Sequence, residues 1–267
     1  MLVIIFFILG LIVGSFLNVL VYRLHSAEKL FWDRSRCPSC KHIIRWYDNM
    51  PVLSFILLRG HCRDCKKRIS WQYPLVEIST GFIFAAIGYA FFNLNILNTW
   101  LVTTYYLIIS GALITILVYD WLYLEIPAVV IWVALSLSVT FNLLFDWFQT
   151  KQITSVLDVT TYSGVLAGFL AFLFFFILVA GSDEKWMGMG DAYLVLFLGF
   201  VLGWPKLLLA LFLAFSLGAI YGIIMIILGK RKMKSQVPFA PFLVLGTFIA
   251  LFFYLPITSW YFSLIIG

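Results

Sequence analysis

The sequence predicts an all-α polytopic membrane protein of about eight transmembrane helices, with one small polar domain between the first and second helices. Three observations predict this. The chain is 63% hydrophobic and only 11% charged, with a mean hydropathy of +1.04, whereas a soluble domain carries about 25% charged residues. Its apolar residues come in continuous runs of roughly 20, the length of a helix crossing a ~30 Å hydrocarbon core. A membrane barrel would instead alternate over strands of about ten residues. Finally, all four cysteines fall in the one sizeable polar segment, residues 23–74.

The apolar stretches, in order, are 2–22, 75–92, 100–119, 126–145, 161–181, 191–204, 205–229 and 238–266. The first has no basic residue before it and no small-residue cleavage site behind it, and Arg23 follows directly. It reads as an uncleaved anchor rather than a signal peptide. The sixth is short for a full crossing, and Gly203-Trp204-Pro205 marks a tight turn into the seventh. Residues 1–22 are thus expected to form the first helix, 23–74 the polar loop domain and 75–267 the main helix bundle. Aromatic residues make up 19% of the chain, which suits helix surfaces and interfacial belts.

Orientation follows from the basic residues. With the N-terminus outside, eleven of the 18 Lys and Arg fall in the inner segment 23–74, one in 182–190 and four in 230–237. Only Lys151 and Lys206 remain on the other face. Basic residues concentrate in cytoplasmic loops, so the +6 net charge is a topology signal. It does not indicate a nucleic-acid partner.

This topology brings two carboxylates to one membrane depth. Asp120 ends the third stretch on the cytoplasmic side, and Asp191, in Gly188-Met189-Gly190-Asp191, begins the sixth on the same side. A carboxylate costs about 2.5–3.5 kcal/mol at a bilayer centre and less near its surface, so two beside apolar helices call for a reason. Two carboxylates sharing a proton can serve as general base and general acid in hydrolysis. Either could instead be a helix-end charge, and Asp191 would then simply suit the positive end of its helix. Glu125 is a competitor, but Ile126-Pro127 follows it, which puts it in a solvated turn. The glycines of the Gly-x-Gly-Asp run allow other backbone, or an extended substrate, to come close.

The cysteines form Cys37-Pro38-Ser39-Cys40 and Cys62-Arg63-Asp64-Cys65. Two such pairs at this spacing favour tetrahedral Zn²⁺ with four thiolates. The neighbours Lys41, Arg63, Lys66, Lys67 and Arg68 would offset the charge of a four-thiolate site. Disulfides are disfavoured in a reducing cytoplasm, and a redox pair normally belongs to a thioredoxin-like unit too large for this segment. His42 and His61 are alternative ligands that four thiolates make unnecessary. The polar domain is therefore expected to be a small zinc-binding cytoplasmic loop domain, with the metal supplying much of its folding energy. Between the pairs, Arg45-Trp46-Tyr47-Asp48-Asn49-Met50-Pro51 mixes aromatic and polar groups. It suits a small-molecule or peptide surface, or equally a loop packed on the membrane face.

Taken together, these segments resemble the type IV prepilin peptidase family, the leader peptidases of bacterial pili and type II secretion, which are membrane aspartyl proteases of the Gly-x-Gly-Asp type. The likeness runs through Gly14-Ser15-Phe16-Leu17-Asn18, both cysteine pairs, Trp46-Tyr47-Asp48-Asn49-Met50-Pro51 and Tyr73-Pro74-Leu75-Val76-Glu77. It continues through Asp120 with Ile126-Pro127, Gly188-Met189-Gly190-Asp191 and Pro238-Phe239-Ala240-Pro241-Phe242. Met50 stands where Ile or Val is more usual, and Ala240 where Gly is usual. The resemblance implies aspartyl cleavage of a prepilin or pseudopilin leader by Asp120 and Asp191, after the glycine that precedes the mature Phe-like N-terminus. It also implies methylation of the new N-terminus with S-adenosylmethionine, assigned to the N-terminal region. There Asn18, Arg23, Tyr47, Asp48, Asn49 and Glu77 match the family's patterned positions as substrate-binding or methyltransferase residues, without individual roles. The implied location is the bacterial cytoplasmic (inner) membrane, in contact with lipid. The residues leave open a peptidase without methylation, a zinc-bearing membrane adaptor and a thiol redox carrier.

Overall fold

A computed structural model describes residues 1–26, 35–93, 96–149, 159–185, 187–230 and 237–266. Lys29, Arg34, Lys151, Arg231, Lys232 and Lys234, which entered the charge count, lie outside the described residues. Among those described there are nine α-helices, and the only β pairing is two isolated bridges. Seven helices are long and apolar enough to cross a membrane, so the chain is a multi-pass membrane protein. It divides into two compact units, Met1–Val118 and Tyr119–Gly267.

In the first unit, α1 (Leu2–Ser26) runs a turn past the expected residue 22. No breaker interrupts it, and Arg23 and His25 in its last turn suit the negative helix end. Its buried residues, Gly10, Gly14, Leu17, Asn18 and Val21, recur every three to four positions and form one face. That face meets α3 (Gln72–Phe91). A Cβ on Gly14 would lie 2.8 Å from the Glu77 Cα, and one on Gly10 2.7 Å from the Gly81 Cα. Small residues let membrane helices approach in this way. Pro74 falls in the first turn of α3, where a missing N–H costs little. Between these helices lie the cysteine loop, a 3₁₀ turn at Trp46–Asn49 and the short helix α2 (Leu53–Leu57).

Helix α4 (Leu97–Tyr123) crosses from one unit into the other. It was expected to end at 119. It continues because nothing breaks it before Leu124, which takes a left-handed φ of 56°, with Pro127 close behind. Asp120 therefore sits inside the last turn of α4 rather than just beyond it.

The second unit adds α5 (Ala128–Gln149), α6 (Thr160–Ser182), α7 (Met189–Leu202), α8 (Lys206–Ile227) and α9 (Ala240–Ile266). The expected sixth span is α7. At 14 residues it is about 21 Å long, too short for the ~30 Å core. It touches α5, α6, α8 and α9 and is the centre of the unit. Ala192, Leu194, Val195, Phe197 and Leu198 are fully buried. Its tightest partner is α6, where a side chain on Gly199 would run into the backbone of Gly168. The Asn142 amide of α5 donates to the Phe200 carbonyl at 2.9 Å, and the Ser163 hydroxyl of α6 accepts the Trp204 N–H at 2.8 Å. Helix α7 is thereby fixed along its length, with Gly203 (φ 66°) turning the chain at its end.

Candidate active site

Asp120 and Asp191 both lie in the second unit. Asp120 is buried on the last turn of α4. Asp191 is half-buried on the first turn of α7. The turn that follows Asp120 and the start of α7 that carries Asp191 touch at Ile126 and Gly190. Three local features bring them together. Gly188 caps α7 in extended conformation and its carbonyl accepts the Asp191 N–H at 3.2 Å, which fixes where the helix begins. Gly190 lies against Ile126, whose Cβ would be 3.1 Å from any Cβ added there; a side chain at this position would have to push Ile126 back by a few tenths of an ångström. Asp120 is in turn held from α9, since its Oδ2 accepts the Ala240 N–H at 3.1 Å. Ala240 is the first residue of α9, where N–H groups have no partner within the helix. Gly188 is different, with φ −82° and nothing within 4 Å of an added Cβ. Nothing in the fold requires glycine there. Glu125 is exposed, as its place in a turn suggested.

The Ala240 contact was not visible in the sequence. The prolines of Pro238-Phe239-Ala240-Pro241 fit either an irregular backbone entering the last span or an ordinary helix start. Residues 237–239 are indeed irregular and α9 starts at Ala240, but no local signal says that this amide points at a carboxylate 120 positions earlier.

The first unit holds the cysteines. The Sγ atoms of Cys37, Cys40, Cys62 and Cys65 all lie within 4.8 Å of one another, and Cys37 and Cys65 are 3.9 Å apart. Four sulfurs about 2.3 Å from a tetrahedral zinc would be about 3.8 Å apart, so the residues fit that ion. The two knuckles are built alike. The Cys37 N–H donates to the His42 carbonyl and the Lys41 N–H to the Cys37 carbonyl; in the second, Cys62 pairs with Lys67 and Lys66 with Cys62 in the same way. Lys41 and Lys66 share a left-handed φ, 60° and 57°. Burial raises the Cys37 thiol, but hydrogen bonds from the Cys40 and Ser39 backbone and from neighbouring thiols bring it down to about 7; Cys40, despite a hydrogen bond from the His42 backbone, is pushed up to about 11 by its own thiol neighbours, so one thiolate forms in the cluster at the expense of its neighbour.

The patterned residues of the same unit divide into two groups. Tyr47, Asp48 and Asn49 form the 3₁₀ turn between the knuckles. Asp48 takes two hydrogen bonds from Arg63, at 2.8 and 2.6 Å, and the guanidinium holds its carboxyl below the usual range. Tyr47 has Arg45 and Arg63 near its ring, with centroid distances of 5.9 and 5.4 Å. Asn49 is exposed and Trp46 is 77% exposed. The helix-borne group, Asn18, Arg23 and Glu77, is buried. The Asn18 amide donates to the Gly14 and Tyr73 carbonyls, while its Oδ1 is buried without a hydrogen-bond partner among the described residues. Glu77 reaches from α3 to the polar loop, its Oε2 accepting the Val52 N–H at 2.8 Å.

Comparison with known proteins gives these sites a context. The family model described as the bacterial peptidase A24 N-terminal domain matches residues 8–91. That described as the type IV leader peptidase family matches residues 107–223, a stretch containing both aspartates. The chain is similar to three proteins each named prepilin leader peptidase/N-methyltransferase. The Bacillus subtilis protein is 31% identical, over 98% of this chain and 99% of its own length. The Pseudomonas aeruginosa protein is 31% identical, over 91% and 88%. The Myxococcus xanthus protein is 35% identical over 84% of this chain, and the match spans 63% of that longer protein. No solved structure matches. Two adjoining family models and relatives matched almost end to end leave one conclusion, that the chain belongs to the type IV leader peptidase family.

Proposed function

We propose that this chain is a membrane aspartyl endopeptidase that removes the leader of type IV prepilins or pseudopilins and N-methylates the residue so exposed. The observation that carries the cleavage half is the convergence of the segments bearing Asp120, buried and tethered to Ala240, and Asp191, on the first turn of α7, which touch at Ile126 and Gly190. One carboxyl, ionised, takes a proton from the attacking water, while the other, protonated, polarises the scissile carbonyl. The proton they share belongs to the pair, not to either residue. The open space at Gly188 and the irregular backbone before Ala240 suit an extended substrate strand. The family membership supports the same reading.

The protein works in the bacterial cytoplasmic membrane with its N-terminus outside and both sites on the cytoplasmic side, supported by the distribution of Lys and Arg. Cys37, Cys40, Cys62 and Cys65 hold a structural zinc. The methyl-transfer region is the zinc loop with Asn18, Arg23 and Glu77. S-adenosylmethionine, when bound, supplies an electrophilic methyl group. The exposed Trp46 ring suits stacking on its adenine, and the exposed Asn49 amide suits hydrogen bonding to it. The test is incubation of the purified protein with a prepilin and S-adenosylmethionine, followed by mass spectrometry. Leader loss and methyl gain on one product are expected. Leader loss without methyl gain would leave a peptidase alone, and an intact prepilin would end the proposal.

A further inference from the structure

Val52 is the one β-branched residue with a positive φ among the described residues of the polar loop. Its φ of 60° and ψ of −48°, with the Leu53 N–H donating to the Pro51 carbonyl, make a γ-turn of positive φ, a rare and strained form. Glycine tolerates such a φ, but for a β-branched residue it is an outlier. Such strain persists only where the surroundings over-determine it. Here the surroundings are specific. The buried Glu77 carboxylate, on the second turn of α3, accepts the Val52 N–H at 2.8 Å. Two residues past the turn, the buried Ser54 donates to the Tyr47 carbonyl at 2.9 Å, and its N–H donates to the Met50 carbonyl at 3.1 Å. The sequence from Tyr47 to Ser54 is thus a closed loop, and the Glu77 carboxylate ties it to α3. Its other ties, Asp48 to Arg63, run to the second cysteine knuckle. Zinc and ion pair order the loop internally; Glu77 ties its Val52 turn, and through it the Tyr47-Asp48-Asn49 edge, to α3.

We infer that Glu77 is a positioning residue for methyl transfer: through the Val52 γ-turn it fixes the Tyr47-Asp48-Asn49 edge against which the methyl donor is held. This rests on the reading of the zinc loop as the methyl-transfer region. It assigns Glu77 no part in proton transfer, because what the turn requires is a hydrogen-bond acceptor and not a charge. A displacement near 1 Å at a reacting geometry costs on the order of a hundredfold in rate.

Four variants of the full-length protein in detergent test it: Glu77→Leu, Glu77→Gln, Val52→Gly and the double variant Glu77→Leu/Val52→Gly. Methyl transfer to a pre-cleaved pilin, leader cleavage, and deuterium exchange of a peptide covering residues 50–57 are measured on each. Glu77→Leu should lower methyl transfer by roughly ten- to a hundredfold, leave cleavage within about threefold, and speed exchange in 50–57. Glu77→Gln, whose amide oxygen still accepts the Val52 N–H, should restore both methylation and protection. The double variant should regain most of the loss, because glycine adopts the positive φ without a tether. If Glu77→Gln is as defective as Glu77→Leu, the carboxylate acts chemically and the inference is wrong. Unchanged exchange in Glu77→Leu, or no recovery in the double variant, also overturns it. Should Glu77→Leu not insert, Val52→Pro carries the test. It lacks the N–H and locks φ near −65°, so methylation should fall with cleavage intact, and retained methylation refutes the role of the turn. If the unaltered protein cleaves but never methylates, it is the methyl-transfer assignment that fails, before Glu77 is in question.

Discussion

Replacing Cys37 by serine should collapse the polar loop and spare the aspartyl site. The size of the effect follows from how little else holds the loop. Across residues 35–71 only Cys37 and Ser54 are buried, and no Leu, Ile, Val or Phe side chain there supplies the ~1.5–3 kcal/mol that full burial of one provides. Against this stand about 1–2 kcal/mol of backbone entropy for every residue ordered. A structural zinc contributes about 10–16 kcal/mol in small metal-folded domains near neutral pH, more than any other interaction in the loop. Cys37 is the most buried of the four ligands, so Cys37→Ser should empty the site rather than weaken it. Limited proteolysis should then cut within 35–71, zinc content should fall from about one per chain towards zero, and methylation should drop by at least about tenfold. Leader cleavage should persist, since Asp120 and Asp191 sit on helices held by packing in lipid. Wild-type protease resistance in the variant would refute the claim that metal folds the loop. Complete loss of cleavage in normally inserted protein would show that the loop belongs to the protease site.

Gly190→Ala should cut leader cleavage by about tenfold or more, since its Cβ would sit 3.1 Å from that of Ile126, and adding Ile126→Ala should restore much of it; no loss in the single variant would mean that the close approach does not set the dyad. Gly188→Ala should insert and fold normally, because space and φ both permit it, so a rise in KM with unchanged thermal stability would report substrate contact, and a fall in stability would contradict the geometry. Asp146 accepts hydrogen bonds from the Thr160 N–H and hydroxyl and from the Thr161 N–H, at 2.7 to 2.9 Å, capping α6 from α5. Asp146→Ala should therefore lower stability in detergent by about 1–2 kcal/mol with cleavage kinetics unchanged at permissive temperature, and an unchanged melting curve would show that the cap is idle.

The parts legible in the sequence were those with a local signature. Four cysteines in two short pairs announce a tetrahedral site whatever surrounds them, and the structure brings their sulfurs within 4.8 Å. That Asp120 and Asp191 fall on one side is an expectation from span order alone, and the segments bearing them do converge at Ile126 and Gly190. Hydropathy was less informative about α7. Leu194, Phe197 and Leu198 were marked only as part of an apolar stretch, and they are fully buried at the centre of the second unit; an apolar side chain looks the same in sequence whether it meets lipid or another helix. Least legible were the backbone contacts. The Ala240 N–H on Asp120 and the Val52 N–H on Glu77 involve groups that every non-proline residue carries, so the side chain at those positions gives no hint. At Val52 the residue type even argues against the conformation it adopts.

The central claim is that Asp120 and Asp191 form one catalytic pair. It is tested most directly by measuring prepilin cleavage with purified Asp120→Asn and Asp191→Asn variants, alongside their insertion and melting behaviour. Both changes are nearly isosteric and remove charge from a costly place, so each variant should insert and be at least as stable as the parent, yet cleave no leader. Processing by either variant at a rate near that of the parent would contradict the pairing.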